Sequence, residues 1–233
     1  GDATKAEPWL RKFVEARPDD PEGQFQLAKA LARLDRVEDA ITRLDRAISL
    51  GPKRVEFRVE LARTYERAKD DAKAGEIYEK LLAEFKDTAS VEVRAAAGRF
   101  LARLKQYDKA GEQGDQILKV VPNHVVGQYL KAEGLLLKNQ LDDARLLFGK
   151  AAAAERDAMY FDGLGRANET KANASKEVKY QQQALDAYKT ATQIDPKLIS
   201  PYAGMGRIYM QRNDYKAAIE PLLVANKADG SNA

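Results

Sequence analysis

Few residues of this chain have the types and spacing that covalent chemistry needs. His124 is the only histidine, and there is no cysteine. A thiol nucleophile, a disulfide and a zinc site of the usual ligand types are therefore all outside its means. The absence of cysteine leaves the redox compartment open. "GLGRAN", beginning at Gly163, resembles a phosphate-binding turn only superficially: it lacks a preceding strand and a third glycine, and reads as a packing feature. The carboxylates are plentiful but recur at the spacing of solvated helix faces, with no buried acid set against a second one. His124 follows Pro122 in a turn and reads as structural. The sequence predicts no catalytic residue, no metal and no cofactor.

Composition narrows the classes further. A hydrophobic fraction of 44% with 32% charged residues is too apolar for a disordered chain and too charged for a membrane protein. The longest apolar runs are short, as at Ala151–Ala154 and Leu135–Leu137, against the roughly 20 residues of a spanning helix. A net charge of +3 over 233 residues does not by itself point to nucleic acid. Gly1 stands where an initiating methionine would be and reads as a scar of expression. A soluble chain is expected, with bacterial cytoplasm and periplasm both open.

The elements that position the remaining candidates are repeats. Ala6, Ala40, Ala74, Ala110, Ala144, Ala184 and Ala218 are separated by 34, 34, 36, 34, 40 and 34 residues. A second ladder, Ala28, Ala62, Gly98, Ala132, Gly165 and Gly206, runs twelve residues ahead of the first, except at Gly165, where the gap is nineteen. A third, Phe13, Ala47, Leu81, Ile117, Ala151, Ala191 and Ala225, follows seven residues behind it. Pro18, Pro52, Pro122 and Pro196 close units at one phase. Within a unit, apolar residues recur at three and four, as in Leu27, Leu31, Leu34 and Ile41, Leu44, Ile48, which is helical spacing. Short polar turns such as Asp35-Arg36, Asn139-Gln140 and Asn213-Asp214 separate the two helices of each unit. One pair cannot bury its apolar faces alone, so the units must stack.

In this pattern the chain resembles the tetratricopeptide repeat family, whose period is about 34 residues. "FQLAKALARLDRVEDAITRLDRAISLGP" (Phe25–Pro52) and "YAGMGRIYMQRNDYKAAIEPLLVANKADG" (Tyr202–Gly230) carry the resemblance, which extends over nearly the whole chain. It implies an all-α fold, a right-handed solenoid (superhelix) of about thirteen helices in stacked antiparallel pairs. The pairs are expected at 21–54, 55–90, 91–124, 125–157, 158–198 and 199–230. Residues 1–20 match a half repeat, the second helix only. Nothing after Asp229 resembles a capping helix, so the chain reads as a piece of a larger bacterial repeat protein. The pair 158–198 carries an insertion at about 168–178, "NETKANASKE" and its flanks, expected as a loop or an exposed helix end. Its two Asn-x-Ser/Thr triplets, at Asn168 and Asn173, read as chance.

The resemblance also implies a binding face. In the family the first helix of each pair lines the concave side and the ninth residue of each unit points there. That column reads Lys29, Arg63, Arg99, Glu133, Arg166, Arg207, and four residues later stand Arg33, Arg67, Arg103, Leu137, Thr170, Gln211. Three units thus offer cation pairs at i and i+4, on one helix face. The stripe is open to two readings: a solvated face neutralised by Glu22, Glu56, Glu60, Glu66 and Glu92, or a lining for an acidic partner. The fourth unit interrupts it with Tyr129, Glu133, Leu136 and Leu137, followed by Met159, either an apolar anchor or packing between helices. The carboxylate clamp of the family's co-chaperones is not matched: the corresponding places hold Phe25, Lys29, Glu60, Glu92 and Ala96. The expected function is a non-enzymatic scaffold for a protein or peptide segment. The candidate partner-binding residues are Lys29, Arg33, Arg63, Arg67, Arg99, Arg103, Tyr129, Leu137, Arg166 and Arg207. The alternatives are RNA or polyanion binding by the arginine ladder, weakened by the lack of interleaved aromatics, and self-association through uncapped ends.

Overall fold

The computed structural model describes residues 3–230, without the side chains of 87 and 228–230. The readings of Gly1 and of the residues after 230 lie outside the described residues. Among those described there are thirteen α-helices and no strand, an all-α repeat fold. The chain divides into two compact units between Ala97 and Gly98.

The first unit contains α1 (Ala3–Ala16), α2 (Pro21–Arg33), α3 (Val37–Leu50), α4 (Val55–Arg67), α5 (Asp71–Phe85), a single 3-10 turn (Lys86–Thr88) and the start of α6 (Val91–Arg103). Phe25 on α2 and Phe57 on α4 stack at 4.8 Å between ring centroids. Around them Ala28, Leu44, Ala47 and Leu61 close a core that Ile41, Ile48, Tyr65 and Ile77 flank. A second cluster, Val14, Leu27, Leu31, Ala32 and Ala40, joins α1 to α2 and α3.

The second unit contains the rest of α6, then α7 (Tyr107–Val120), α8 (Val125–Leu137), α9 (Leu141–Ala154), α10 (Ala158–Ser175), α11 (Val178–Ile194), α12 (Ser200–Gln211) and α13 (Tyr215–Gly230). In it α7 and α8 pack backbone against backbone. A Cβ on Gly114 would lie 2.4 Å from the backbone nitrogen of Lys131, and one on Gly111 would lie 2.9 Å from the Gly134 Cα. Tyr188 of α11 occupies a slot between Gly165 of α10 and Gly204 of α12, each of whose Cβ atoms would fall 2.4 Å from its ring. The "GLGRAN" glycines are packing features as expected: Gly163 receives Phe148 and Gly165 receives Tyr188.

Five of the turns within pairs share one device. Asp35, Lys69, Lys105, Asn139 and Asn213 all have φ between 57° and 60°. In each case the next residue's N–H bonds the carbonyl five residues back, as in Arg36 to Leu31 at 3.0 Å and Gln106 to Leu101 at 2.9 Å. This left-handed C-terminal cap satisfies carbonyls that the helix end leaves bare. Asp20, Asp70 and Asp157 cap helix starts by accepting from backbone N–H groups at 2.9–3.1 Å. His124 does likewise through Nδ1, accepting from Gly127 N–H at 3.3 Å, which gives the lone histidine its structural role.

The ladder alanines Ala40, Ala74, Ala110, Ala144 and Ala184 have no exposed surface, whereas Ala6 is exposed. The insertion at about 168–178 is helix and not loop. α10 has 18 residues against 13 in α8, and α11 has 17. Asn168, Glu169 and Ala172 are buried in it, whereas Asn173, Ala174 and Ser175 form an exposed helix end; only Lys176, left-handed at φ 60°, and Glu177 separate the two helices. The two buried polar residues of the stretch, Asn168 and Glu169, each have partners on other helices. No helix among the described residues is long and apolar enough to cross a membrane.

Candidate protein-binding surface

The first-helix residues singled out by the repeat phase fall into two electrostatic situations, one in each unit.

In the first unit, Lys29 sits one turn beyond Phe25 on α2, its ammonium 5.1 Å from that ring's centroid. Arg33, another turn on, is exposed. Neither forms an ion pair among the described residues. α4 touches α2 and carries Arg63 and Arg67. Both approach one carboxylate, Glu60, at 3.7 and 3.8 Å, beyond hydrogen-bonding distance. Of the other acids expected to quench the stripe, Glu22, Glu56 and Glu66 have hydrogen-bond or ion-pair partners outside it. Glu22 accepts from Gln26 at 2.6 Å and from Arg54 at 3.0 Å. Glu56 pairs with Arg54 as well. Glu66 accepts from the Tyr78 hydroxyl at 2.8 Å. The Gln26 and Arg54 bonds hold the Glu22 carboxyl below its ordinary pKa, against the opposing effect of burial, so it stays ionised beside them.

In the second unit the cations are committed. Arg166 of α10 makes a two-pronged bond to Glu133 of α8, with Nη1 to Oε2 at 3.1 Å and Nη2 to Oε1, while its Nε donates to Asp162 at 3.1 Å. Glu133 is only 1% exposed and Asp162 7%. Burial works to lower the Arg166 pKa, but Glu133 and Asp162 outweigh it and hold the guanidinium above its ordinary value. Arg207 of α12 grips Glu169 of α10 in the same way, and the Tyr188 hydroxyl donates to Glu169 at 2.7 Å. Arg99 donates to the Tyr160 hydroxyl at 2.8 Å. Arg103 lies 5.3 Å from the Phe100 ring.

Two expectations are corrected here. The carboxylates are not all solvated: Glu60, Glu133, Asp162 and Glu169 are buried, and Glu133 and Asp162 share one arginine. They bury because an arginine of their own or the neighbouring first helix meets each of them. Tyr129 is no open anchor. It is sunk in the core, 5.2 Å from the Tyr160 ring and 6.0 Å from that of Phe148. Leu137 lies two turns away at the exposed end of α8, and Leu136 is half-buried beside it. The structure therefore does not bring Tyr129 and Leu137 into one patch. Asn168 is buried as well, donating to Leu164 O at 3.0 Å and accepting from Arg145 at 2.7 Å, which leaves it unavailable as a glycan acceptor.

A tetratricopeptide repeat family model matches residues 25–89. No curated protein matches the chain by sequence. Among solved structures it is similar to a tetratricopeptide repeat protein from Parabacteroides merdae, at 18% identity and a TM-score of 0.70, covering 97% of this chain and 87% of that one. It is also similar to YrrB, described as a TPR protein with an unusual peptide-binding site, at 19% identity and a TM-score of 0.55 over 82% of this chain and 95% of that one. A third likeness is to PilW, a type IV pilus biogenesis factor, at 21% identity and a TM-score of 0.67 over 86% and 90%. At these identities the likeness speaks to fold. The tetratricopeptide repeat match thus covers α2 to α5, and the fold over nearly all of the chain is similar to that of tetratricopeptide repeat structures.

Proposed function

We propose that the chain is a non-catalytic scaffold that binds an acidic protein segment on the first-helix face of its N-terminal unit. Tetratricopeptide arrays are in general protein–protein interaction scaffolds, and the choice of face follows from charge. The observation that carries it is the state of Lys29 and Arg33: two cations one turn apart, neither in a close ion pair among the described residues, although Lys29 helps to keep Glu22 ionised. On the adjoining helix Arg63 and Arg67 share the single acid Glu60. Like charges at i and i+4 cost an isolated helix a few tenths of a kcal/mol. An acidic segment removes that cost and gains charge-assisted hydrogen bonds. Arg166 and Arg207 hold their acids internally and serve as structural ties.

The test is binding of a polyglutamate peptide, both ends blocked, followed by fluorescence anisotropy across salt concentrations. Lys29→Glu/Arg33→Glu is expected to weaken binding by about tenfold or more and to flatten the salt dependence. The exposed pair Lys150→Glu/Lys189→Glu in the second unit serves as the control. Equal affinities and equal salt slopes in wild type and the Lys29/Arg33 variant contradict the assignment. Binding of oligouridylate but not polyglutamate transfers it to the RNA reading.

Self-association is a second reading, favoured by Tyr215, Ile219 and Leu223, which stand exposed along one face of α13. Sedimentation velocity over a range of concentrations tests it. An unvarying monomer removes it.

A further inference from the structure

The ion-pair ties of the second unit set its first helices in register, and that register places a row of uncharged side chains one turn further along. Glu133 pairs with Arg166, and Arg207 with Glu169. Four residues beyond each of them stand Leu137 on α8, Thr170 and Asn173 on α10, and Gln211 on α12. Residues four apart share a helix face, so these side chains follow one another across the three helices. Asn173 and Gln211 meet directly: Gln211 Nε2 donates to Asn173 Oδ1 at 3.3 Å. Both amides are exposed, as are Leu137 at 59% and Met210, beside Gln211, at 46%. The charged residues that follow Leu137, Thr170 and Gln211 in sequence all bond to second helices. Lys138 pairs with Asp108 of α7, Lys171 with Asp142 of α9, and Arg212 donates to Gln181 and Gln182 of α11.

The bond between the two amides leaves the Asn173 N–H groups and the Gln211 carbonyl oxygen without a further partner among the described residues. One donor and one acceptor, side by side, complement the N–H and C=O that a residue of an extended peptide presents along one edge. Flipping both amides exchanges the roles and leaves the same complement. A helix cannot use this pair, because its own backbone groups are bonded internally. A helix pair continuing the array stacks on α12 and α13 and leaves the row open. We propose that the row seats an uncharged, extended segment of a partner protein, its backbone on the Asn173–Gln211 amides and apolar side chains on Leu137 at one end and Met210 at the other. Packed neighbouring helices lie about 8–10 Å apart, so α8 to α12 spans about 16–20 Å, which about five or six extended residues cover at about 3.3 Å each. This surface works without charge and does not depend on the acidic-segment reading of the first unit.

The probe is a short end-blocked peptide alternating leucine and serine, paired with an analogue N-methylated along its backbone. Titration of the whole chain, followed by the side-chain amide resonances of Asn173 and Gln211, is expected to shift both, with an affinity that salt does not change. The N-methylated analogue, which lacks the N–H donors, is expected to leave both resonances in place. Asn173→Ala/Gln211→Ala, at two exposed positions, should keep the helical circular dichroism and weaken the peptide by about tenfold, as loss of two hydrogen bonds requires. Lys29→Glu/Arg33→Glu should bind it as wild type does. The contacts are to backbone and tolerate most sequences, so failure of this peptide to bind overturns the proposal. Equal binding of the N-methylated analogue, or unchanged affinity in the Asn173/Gln211 variant, overturns it as well. Loss of the peptide in the Lys29/Arg33 variant would place it on the first unit and overturn the row as its seat. Polyglutamate binding tests the acidic-segment reading separately, and none of these outcomes bears on it.

Discussion

Arg207 and Glu169, 38 residues apart, meet in a two-pronged ion pair, with Nε to Oε1 at 2.7 Å and Nη2 to Oε2 at 2.9 Å. The pair ties α12 to α10, and the Tyr188 hydroxyl on Glu169 adds α11 to the knot. Arg166 ties α10 to α8 through Glu133 in the same manner. The first helices of the second unit are thus laced by arginine–carboxylate bonds in succession.

Breaking these ties leaves buried carboxylates without a countercharge. Arg166→Ala strands both Glu133 and Asp162 and should cost about 3–5 kcal/mol. Arg207→Ala strands only Glu169, which keeps the Tyr188 bond, and should cost about 1–3 kcal/mol. Urea unfolding checks the order. Losses below about 0.5 kcal/mol in both variants would put these residues among ordinary surface pairs.

Two glycines make a matched contrast. Gly114→Ala drives a Cβ to 2.4 Å from the Lys131 backbone nitrogen, where no flexible side chain can yield, and should cost about 1–3 kcal/mol or more. Gly149, inside α9, has nothing within 4 Å of its would-be Cβ, so Gly149→Ala should stabilise by about 0.5–1 kcal/mol. Thermal melts of the two variants should therefore move in opposite directions. Movement the same way would contradict the packing of α7 on α8.

Burial, with a neighbouring carboxylate, pushes Tyr78, Tyr129 and Tyr188 above the ordinary phenol pKa. In the unfolded chain these phenols ionise near about pH 10. Above that pH the unfolded state releases protons that the folded state retains. The contribution of these groups is accordingly complete below about pH 10 and is lost as pH rises beyond it. Phenolate absorbance and helical circular dichroism, followed together in an alkaline titration, should show these three ionising only as the helices melt. Ionisation of all ten tyrosines before any loss of helix would contradict their burial.

The repeat period made the fold legible, because small residues at one phase can only be contacts: Ala40, Ala74, Ala110, Ala144 and Ala184 are all covered. In the insertion the exposed end at 173–175 follows from its polarity, but that same polarity conceals the burial of Asn168 and Glu169. Asn168 and Glu169 are satisfied by Arg145, Tyr188 and Arg207, from other helices, which no local pattern displays. The tie between Glu133 and Arg166 left one trace, an acid interrupting a column of cations directly before an arginine. Side-by-side first helices make that neighbour relation a contact. The fate of Tyr129 was not readable from its spacing, since an aromatic on a first helix can face either the groove or the neighbouring helices. Here Phe148 and Tyr160 hold it inside.

The central claim is that the cations of α2 and α4 are open to a partner while those of α10 and α12 are spent on the fold. Amide chemical-shift mapping during titration with blocked polyglutamate measures this residue by residue. The predicted result is a set of perturbations centred on Lys29, Arg33, Arg63 and Arg67, fading as salt is added, with the surroundings of Arg166 and Arg207 undisturbed. Perturbations centred on α10 and α12, or none on α2 and α4, would contradict it.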